Sequence, residues 1–399
     1  MINDRLAALT DYPFGRLADL LDGIEPPNDV TPLIMSIGEP QHRYPALVAE
    51  TLAANADGWG KYPPTIGTPD FRAAVAGWLT RRYGLPNGLI NADTQVLPCS
   101  GTREALFTVA LLAVPSAVGG AKPTVLMPDP FYQVYSGAAV LAGAEPVFVA
   151  ALAETGFLPD FEALPRDVLD RAALAYLCTP ANPQGTVADR DYLRRLLDLA
   201  RREDFVLAID ACYGDIYPDE PPPGIFEVCV DDPLGTDHVI AFHSLSKRSN
   251  VPGLRSGFVA GDTALIGDYA RLRSYSGGAS PLPVMATATA LWNDEAHVEQ
   301  SRDLYRQKFD IAERLFAGRH GFYRPAGGFY LWLDVGDGEA AAQRVWRDAG
   351  VKVMPGGYLS RGDFAAETGQ APGAPYIRIA LVHDPEITEA ALTRVAAVL

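Results

Sequence analysis

The stretch VIAFHSLSKRSNVPGLRSGFVAG, residues 239–261, decides the fold. It opens on the apolar run VIAFHS (239–244) and closes on SGFVAG (256–261). Neither run alternates strictly between apolar and polar residues, which is the pattern of strands covered on both faces. The first run ends on Ser244; Lys247 follows three residues on, and Arg255 eight residues after that. Five more runs of the same kind precede it: TQVLPC (94–99), TVLMPD (124–129), EPVFVA (145–150), LAYLCT (174–179) and VLAIDA (206–211). Each is bounded by Gly, Pro, Asp or Ser, and most are flanked by amphipathic helical patterns. Seven such strands predict one large α/β domain with a mostly parallel sheet.

The ends of the chain read differently. Residues 1–45 are rich in Pro and Gly, with a helix expected at Gly15 to Leu21. After Ala290 a long helix is expected through SRDLYRQKFDIAERLFAG, followed by the strand candidates FYLWLDV, VKVMPGG and YIRIALV, with a helix between the first two. The expected division is therefore a large domain at 46–290 and a smaller α+β domain from 1–45 and 291–399. PDEPPPG (218–224) reads as a rigid surface loop.

Composition limits the functions available. The chain has 399 residues, enough for two domains, and a formal net charge of -16. An acidic surface repels phosphate backbones and anionic lipid, so neither nucleic acid nor membrane is an expected partner. The start, MINDRLAALT, lacks the apolar core of a secretory signal, and the apolar stretch from Ala105 to Val114 ends at Pro115, too short to span a bilayer. The 4 cysteines form no CxxC pair and the 6 histidines no HExxH, so no metal site is expected. The cysteines fit small buried residues in a reducing, cytoplasmic setting.

Several motifs supply what is needed to hold a phosphorylated pyridine aldehyde. A lysine amine with a lowered pKa can bond the aldehyde, and Lys247 has Arg248 and Arg255 close in sequence; taken alone, it reads as a solvent-exposed loop lysine. Ser100, Gly101 and Thr102 form a strand-to-helix turn that can offer backbone N–H groups and a helix dipole to an anion, or serve as a plain N-cap. Ser244 and the forked guanidinium of Arg255 can complete a phosphate cup. Asp210 ends its strand where α/β sheets bind ligands and can keep a pyridine nitrogen protonated. Tyr213 and Asn182 can reach the ring hydroxyl, although Asn182-Pro183 is also ordinary turn chemistry. Tyr132 is placed to stack on the ring or to pack in the core. Arg378, mid-strand among apolar residues, needs a partner, either a substrate α-carboxylate or a structural acid. Arg273 or Arg43 is a candidate second cation for a substrate side chain.

These residues, in this order, resemble the fold-type-I, class I/II aminotransferases. The resemblance covers nearly the whole chain. It rests on KYPPTIGTPDFRAAV, the Ser-Gly-Thr turn, the Asn-Pro-x-Gly turn, Asp-x-x-Tyr, Ser-x-x-Lys with a following Arg, and a late Arg. It implies a pyridoxal 5'-phosphate enzyme with Lys247 as the cofactor-binding lysine, Asp210 at the pyridine nitrogen, and Asn182 and Tyr213 at the ring hydroxyl. Ser100, Gly101, Thr102, Ser244 and Arg255 match the phosphate cup, Tyr132 the ring-stacking aromatic, and Gly38 with Asn182 and Arg378 the substrate carboxylate site. Tyr62 matches a residue that reaches the phosphate of a neighbouring subunit, so the resemblance also implies a homodimer. Within the family, YPFGRLADLL, SIGEP, DPFYQVY and DACYGDIY resemble the succinyldiaminopimelate aminotransferases of lysine biosynthesis. That similarity implies ping-pong transfer between glutamate and N-succinyl-LL-2,6-diaminopimelate. Another amino-acid substrate, or a lyase on the same scaffold, is the alternative.

Overall fold

A computed structural model describes residues 2–9, 11–276, 278–361 and 371–399. Its strands are β1 (Leu33–Ile34), β2 (Val96–Cys99), β3 (Thr124–Asp129), β4 (Glu145–Ala150), β5 (Ala172–Cys178), β6 (Val206–Asp210), β7 (Val239–Ser244), β8 (Gly257–Gly261), β9 (Tyr330–Asp334), β10 (Val351–Lys352), β11 (Met354–Pro355) and β12 (Tyr376–Ala380). The seven expected runs of the α/β region all form strands. They make one sheet in the order β2-β8-β7-β6-β5-β3-β4. All neighbours are parallel except β8, which runs antiparallel to both β7 and β2. Residues of β5 and β7 are buried throughout, as expected of strands covered on both faces.

The order places the site. From β3 the chain moves outward to β4, then returns past β3 to β5 and continues to β6 and β7 on the other side. The reversal lies between β3 and β5, and ligands of open α/β sheets bind beyond the carboxyl ends of strands at such a point. Tyr132 follows β3, Asn182 follows β5, Asp210 ends β6 and Ser244 ends β7. The antiparallel β8 starts at that same end, so Arg255 just before it meets the turn after β2.

One apolar cluster around Trp78, Phe205, Phe258 and Trp292 covers one face of the sheet, and another around Tyr135, Tyr176 and Phe242 covers the other. A third is built on the three-stranded antiparallel sheet β11-β12-β9 and the helices Ala296–Phe316 and Pro385–Val398. The expected helix at 15–21 spans Pro13–Leu20, where Pro13 takes the first-turn position that needs no N–H. VKVMPGG, read as one strand, divides: β10 pairs with β1 and β11 with β12. The helix Leu282–Asn293 runs past residue 290, and its Leu291 and Trp292 lie in the main core. No described helix is long and apolar enough to cross a membrane.

Candidate active site

A cavity of about 550 Å³ opens at the carboxyl ends of β3, β5, β6 and β7. Lys247, on the short helix Leu245–Arg248 after β7, projects into it and donates to the Gly38 carbonyl. Burial lowers its pKa to about 8, assisted by the Arg378 and Arg255 charges and opposed by Cys212 and Glu39. A fair fraction of the amine is therefore neutral near pH 8, which ordinary surface lysines are not.

Asp210 is 5 % exposed and lines the same cavity. Its carboxylate accepts from Tyr135 Oη at 2.7 Å and from the Cys212 backbone N–H at 3.2 Å. Burial raises its pKa, and these hydrogen bonds partly offset the rise. No Lys or Arg lies within ion-pair distance of it among the described residues. A desolvated carboxylate without a cation favours a positively charged N–H brought by a ligand.

Arg378 is 4 % exposed, in the middle of β12. It donates to Asn182 Oδ1 at 2.8 Å and to the Ser36 carbonyl at 2.6 Å, and its guanidinium carbon sits 4.5 Å from the Tyr330 ring centroid. No carboxylate of the chain pairs with it among the described residues, and Nε has no acceptor. The structural-acid alternative for this arginine therefore fails. Asn182 gives its oxygen to Arg378, which leaves its amide N–H groups on the cavity side.

The anion cradle is built around Gly101. Its φ is +84°, and a Cβ there would lie 2.1 Å from Arg255 Nη2. Only glycine gives both the backbone conformation and the room for the guanidinium to lie against the turn. Arg255 itself has φ +52° and is held by hydrogen bonds to the Pro252 carbonyl at 2.9 Å and the Ser100 carbonyl at 3.4 Å. Thr102 starts the helix Thr102–Ala113 and its hydroxyl contacts Cys212 Sγ at 3.0 Å. Ser244 is buried at the cavity wall, where its hydroxyl accepts from the Ser246 N–H at 3.1 Å.

Most of the residues singled out from sequence converge here: Lys247, Asp210, Tyr213, Asn182, Tyr132, Thr102, Ser244, Arg255, Gly38 and Arg378 all line the cavity. The rest differ. The Ser100 hydroxyl donates to the Gly278 carbonyl at 3.0 Å, away from the cavity, so only its backbone takes part in the turn. Gly101 lies behind Arg255 rather than on the wall. Tyr62 is fully exposed and is not among the residues that line the cavity. The Arg273 guanidinium is spent on the carbonyls of Pro98 and Gly278, and Arg43 is exposed outside the cavity, so neither reads a substrate side chain in this chain's cavity. The Tyr213 hydroxyl shares a hydrogen bond of 2.9 Å with Tyr330 Oη.

Sequence reasoning missed Tyr135, Tyr330 and Cys212. Tyr135 follows Tyr132 at helical spacing, which puts both rings on one side of the helix Gln133–Ala142. Tyr330 comes from β9, whose pairing with β12 places it beside Arg378, and a Cβ on Gly38 would lie 1.9 Å from its hydroxyl. Among the described residues no cluster of His, Cys, Asp or Glu could hold a metal ion.

A neutralisable amine, an anion cradle and a desolvated carboxylate around one cavity define an enzyme site for a phosphorylated cofactor. The model of the family "Aminotransferase class I and II" matches residues 31–395. An LL-diaminopimelate aminotransferase of Nitratidesulfovibrio vulgaris (Hildenborough) is 31% identical over 402 residues, covering 98% of each chain. The 4-dedimethylamino-4-oxo-anhydrotetracycline transaminase OxyQ of Streptomyces rimosus is 34% identical over 90% of this chain and 92% of its own. Among solved structures, an aminotransferase from Neisseria meningitidis Z2491 superposes with a TM-score of 0.93 at 38% identity over 100% of both chains. The aminotransferase AspB of Helicobacter pylori 26695 gives 0.88 at 32% over 97% of this chain and 98% of its own. The chain belongs to the class I and II aminotransferases, which use pyridoxal 5'-phosphate. Among the described residues, the acceptor-free Nε of Arg378, the glycine cradle at Arg255 and the cation-free carboxylate of Asp210 fit that cofactor and an amino-acid substrate.

Proposed function

We propose that this aminotransferase works by a ping-pong cycle between glutamate and the keto acid of N-succinyl-LL-2,6-diaminopimelate, a step of lysine biosynthesis. The observation that carries the transamination chemistry is the Lys247 amine in one cavity with Arg378, which has no acidic partner among the described residues. The substrate assignment draws on the motifs SIGEP, DPFYQVY and DACYGDIY and on the diaminopimelate aminotransferases among the chain's relatives.

Bound pyridoxal phosphate supplies an electron-withdrawing ring that stabilises negative charge at the substrate α-carbon. The chain's own residues do the rest. Lys247 would tether the cofactor, and its free amine would hold and move the substrate α-proton. Asp210 keeps the pyridine nitrogen protonated, and the Tyr135 hydroxyl holds its carboxylate in place. Asn182 Nδ2 and the Tyr213 hydroxyl would hold the ring oxygen, and Tyr132 would stack on the ring. Arg255, the Ser244 hydroxyl and the N–H groups after Gly101 hold the phosphate. Arg378 grips the substrate α-carboxylate with Asn182 and fixes which α-bond stands across the ring.

Tyr62 acts across a homodimer interface, where its exposed ring meets the phosphate of the second subunit. The proposed division is a cofactor-binding domain 46–290, to whose core Leu291 and Trp292 also belong, and a smaller domain from 1–45 and the rest of 291–399, with the small domain contributing Gly38 and Arg378. A second reading, LL-diaminopimelate itself as amino donor, takes its support from the name of the Nitratidesulfovibrio relative.

The test is a screen of purified enzyme with 2-oxoglutarate against succinyldiaminopimelate, LL-diaminopimelate, acetylornithine, aspartate and aromatic amino acids, following glutamate release. Preference for the succinylated donor is expected. Preference for the free diamine moves the assignment to the second reading, and conversion of neither removes both.

A further inference from the structure

Tyr330 lines the active-site cavity, yet the proposed cycle gives it no part. It is 2 % exposed and sits on β9, where it pairs with Ala380 of β12, two residues beyond Arg378. Its contacts go to Tyr213, Arg378 and Gly38, all of which the cycle uses. The hydroxyl shares a hydrogen bond of 2.9 Å with Tyr213 Oη, its one partner among the described residues. The Arg378 guanidinium lies over the ring face, its carbon 4.5 Å from the centroid. A Cβ on Gly38 would lie 1.9 Å from the hydroxyl oxygen and 2.9 Å from Cζ, so the glycine backbone lies directly against the end of the ring.

Either hydroxyl of the tyrosine pair can donate, and the charge nearby decides which. Burial raises the pKa of both phenols, that of Tyr213 well above its ordinary value; at Tyr330 the Arg378 guanidinium on the ring face offsets part of the rise. The more acidic phenol is the better donor. Tyr330 therefore donates to Tyr213, which leaves the Tyr213 O–H for an acceptor in the cavity. A hydroxyl that accepts one hydrogen bond donates the next more strongly.

We propose that Tyr330 is a positioning residue that joins the cofactor site to the substrate site: its hydroxyl aims the Tyr213 proton at the cofactor's ring oxygen, and its ring seats Arg378. The inference rests on the reading above that places Tyr213 at that oxygen and Arg378 at the substrate carboxylate. Tyr330 acts through these two neighbours.

Two substitutions separate the halves. Tyr330→Phe removes the hydroxyl and keeps the ring, whereas Tyr330→Leu removes both. The first readout is a pH titration of the holoenzyme's absorbance without substrate. A donor at the ring oxygen draws off charge that otherwise holds the cofactor's neighbouring proton, so a weaker donor moves the midpoint upward. Tyr330→Phe should raise it by roughly half a pH unit to one, Tyr213→Phe by more, and the double variant no further than Tyr213→Phe alone. The second readout is calorimetric titration of the holoenzyme with glutarate, which binds without turnover. Tyr330→Phe should bind glutarate as the wild type does, and Tyr330→Leu roughly two- to thirtyfold more weakly. An unmoved midpoint in Tyr330→Phe, shifts that add in the double variant, or equal glutarate affinity in Tyr330→Phe and Tyr330→Leu overturns the proposal. Should Tyr330→Leu not fold, the titrations of Tyr330→Phe and of the double variant still decide it. If Tyr213→Phe itself leaves the midpoint in place, the ring-oxygen assignment fails and the relay falls with it. If Tyr213→Phe shifts it and Tyr330→Phe does not, that assignment stands and the relay alone fails. Glutarate that does not bind the wild type removes the Arg378 assignment, and the seating role with it.

Discussion

Arg378 on β12 and Asn182 in the turn after β5 are joined by a hydrogen bond of 2.8 Å, although 196 residues separate them in the chain. The bond ties the small antiparallel sheet to the carboxyl end of the large one, at the point proposed above for the substrate carboxylate. It also orients the guanidinium, because the Ser36 carbonyl takes the other terminal nitrogen and Nε keeps no acceptor.

Loss of either partner should be felt, and the two losses should not add. Arg378→Lys keeps charge but not the fork and is expected to lower kcat/KM for amino acids by about ten- to a hundredfold. Asn182→Ala should cost less, and the double variant little more than Arg378→Lys alone, as for groups acting as one unit. Steady-state kinetics on the four proteins closes the cycle. Strict additivity would show that the two residues act separately.

Lys247→Ala should lower turnover by about two to four orders of magnitude or more, since it removes both the tether and the proton carrier. Borohydride reduction of the wild-type holoenzyme followed by peptide mapping should place the label on Lys247. A label on Lys308 or Lys352 instead would contradict the assignment.

The lowered pKa of Lys247 has a sign that can be tested on apoenzyme. The neutral amine is the nucleophile, and its population rises with pH through about 8. The rate of cofactor uptake, followed by absorbance, should rise over that range and level off above it. A midpoint near the ordinary lysine value of about 10.4 would mean that burial does not act on this amine.

Gly101→Ala meets two obstacles together: a φ of +84° and a Cβ 2.1 Å from Arg255. The strained backbone should cost about 1–3 kcal/mol of stability, and the guanidinium must move. Thermal unfolding of the apoprotein reads the first effect and equilibrium cofactor binding the second. A variant with wild-type cofactor affinity would show that the turn and Arg255 do not share the phosphate.

The large sheet was legible because its strands are buried on both faces, so runs such as VIAFHS and LAYLCT carry a strong signal over few residues. Asp210, Asn182, Ser244 and Lys247 were legible because each sits at a strand end where the chain turns. Side-chain direction was not. Ser100 and Arg273 stand near the right places in sequence yet spend their polar atoms on the Gly278 and Pro98 carbonyls, a choice made by packing across 178 and 175 residues. Tyr330 stayed hidden for a related reason. Its contact with Arg378 arises from the pairing of β9 with β12, and FYLWLDV alone gives no register. Arg103 was not legible from sequence at all, since only the folded chain brings it to Tyr132.

The bond from Arg255 to the Ser100 carbonyl spans 155 positions and depends on β8 lying antiparallel beside β2. If these segments hold the phosphate as proposed, a growing polypeptide that has emerged only as far as the first of them has half a receptor for the vitamin. The cofactor therefore cannot template early folding; it can only reward a chain that has already closed this long circuit, stabilising the finished architecture by mass action.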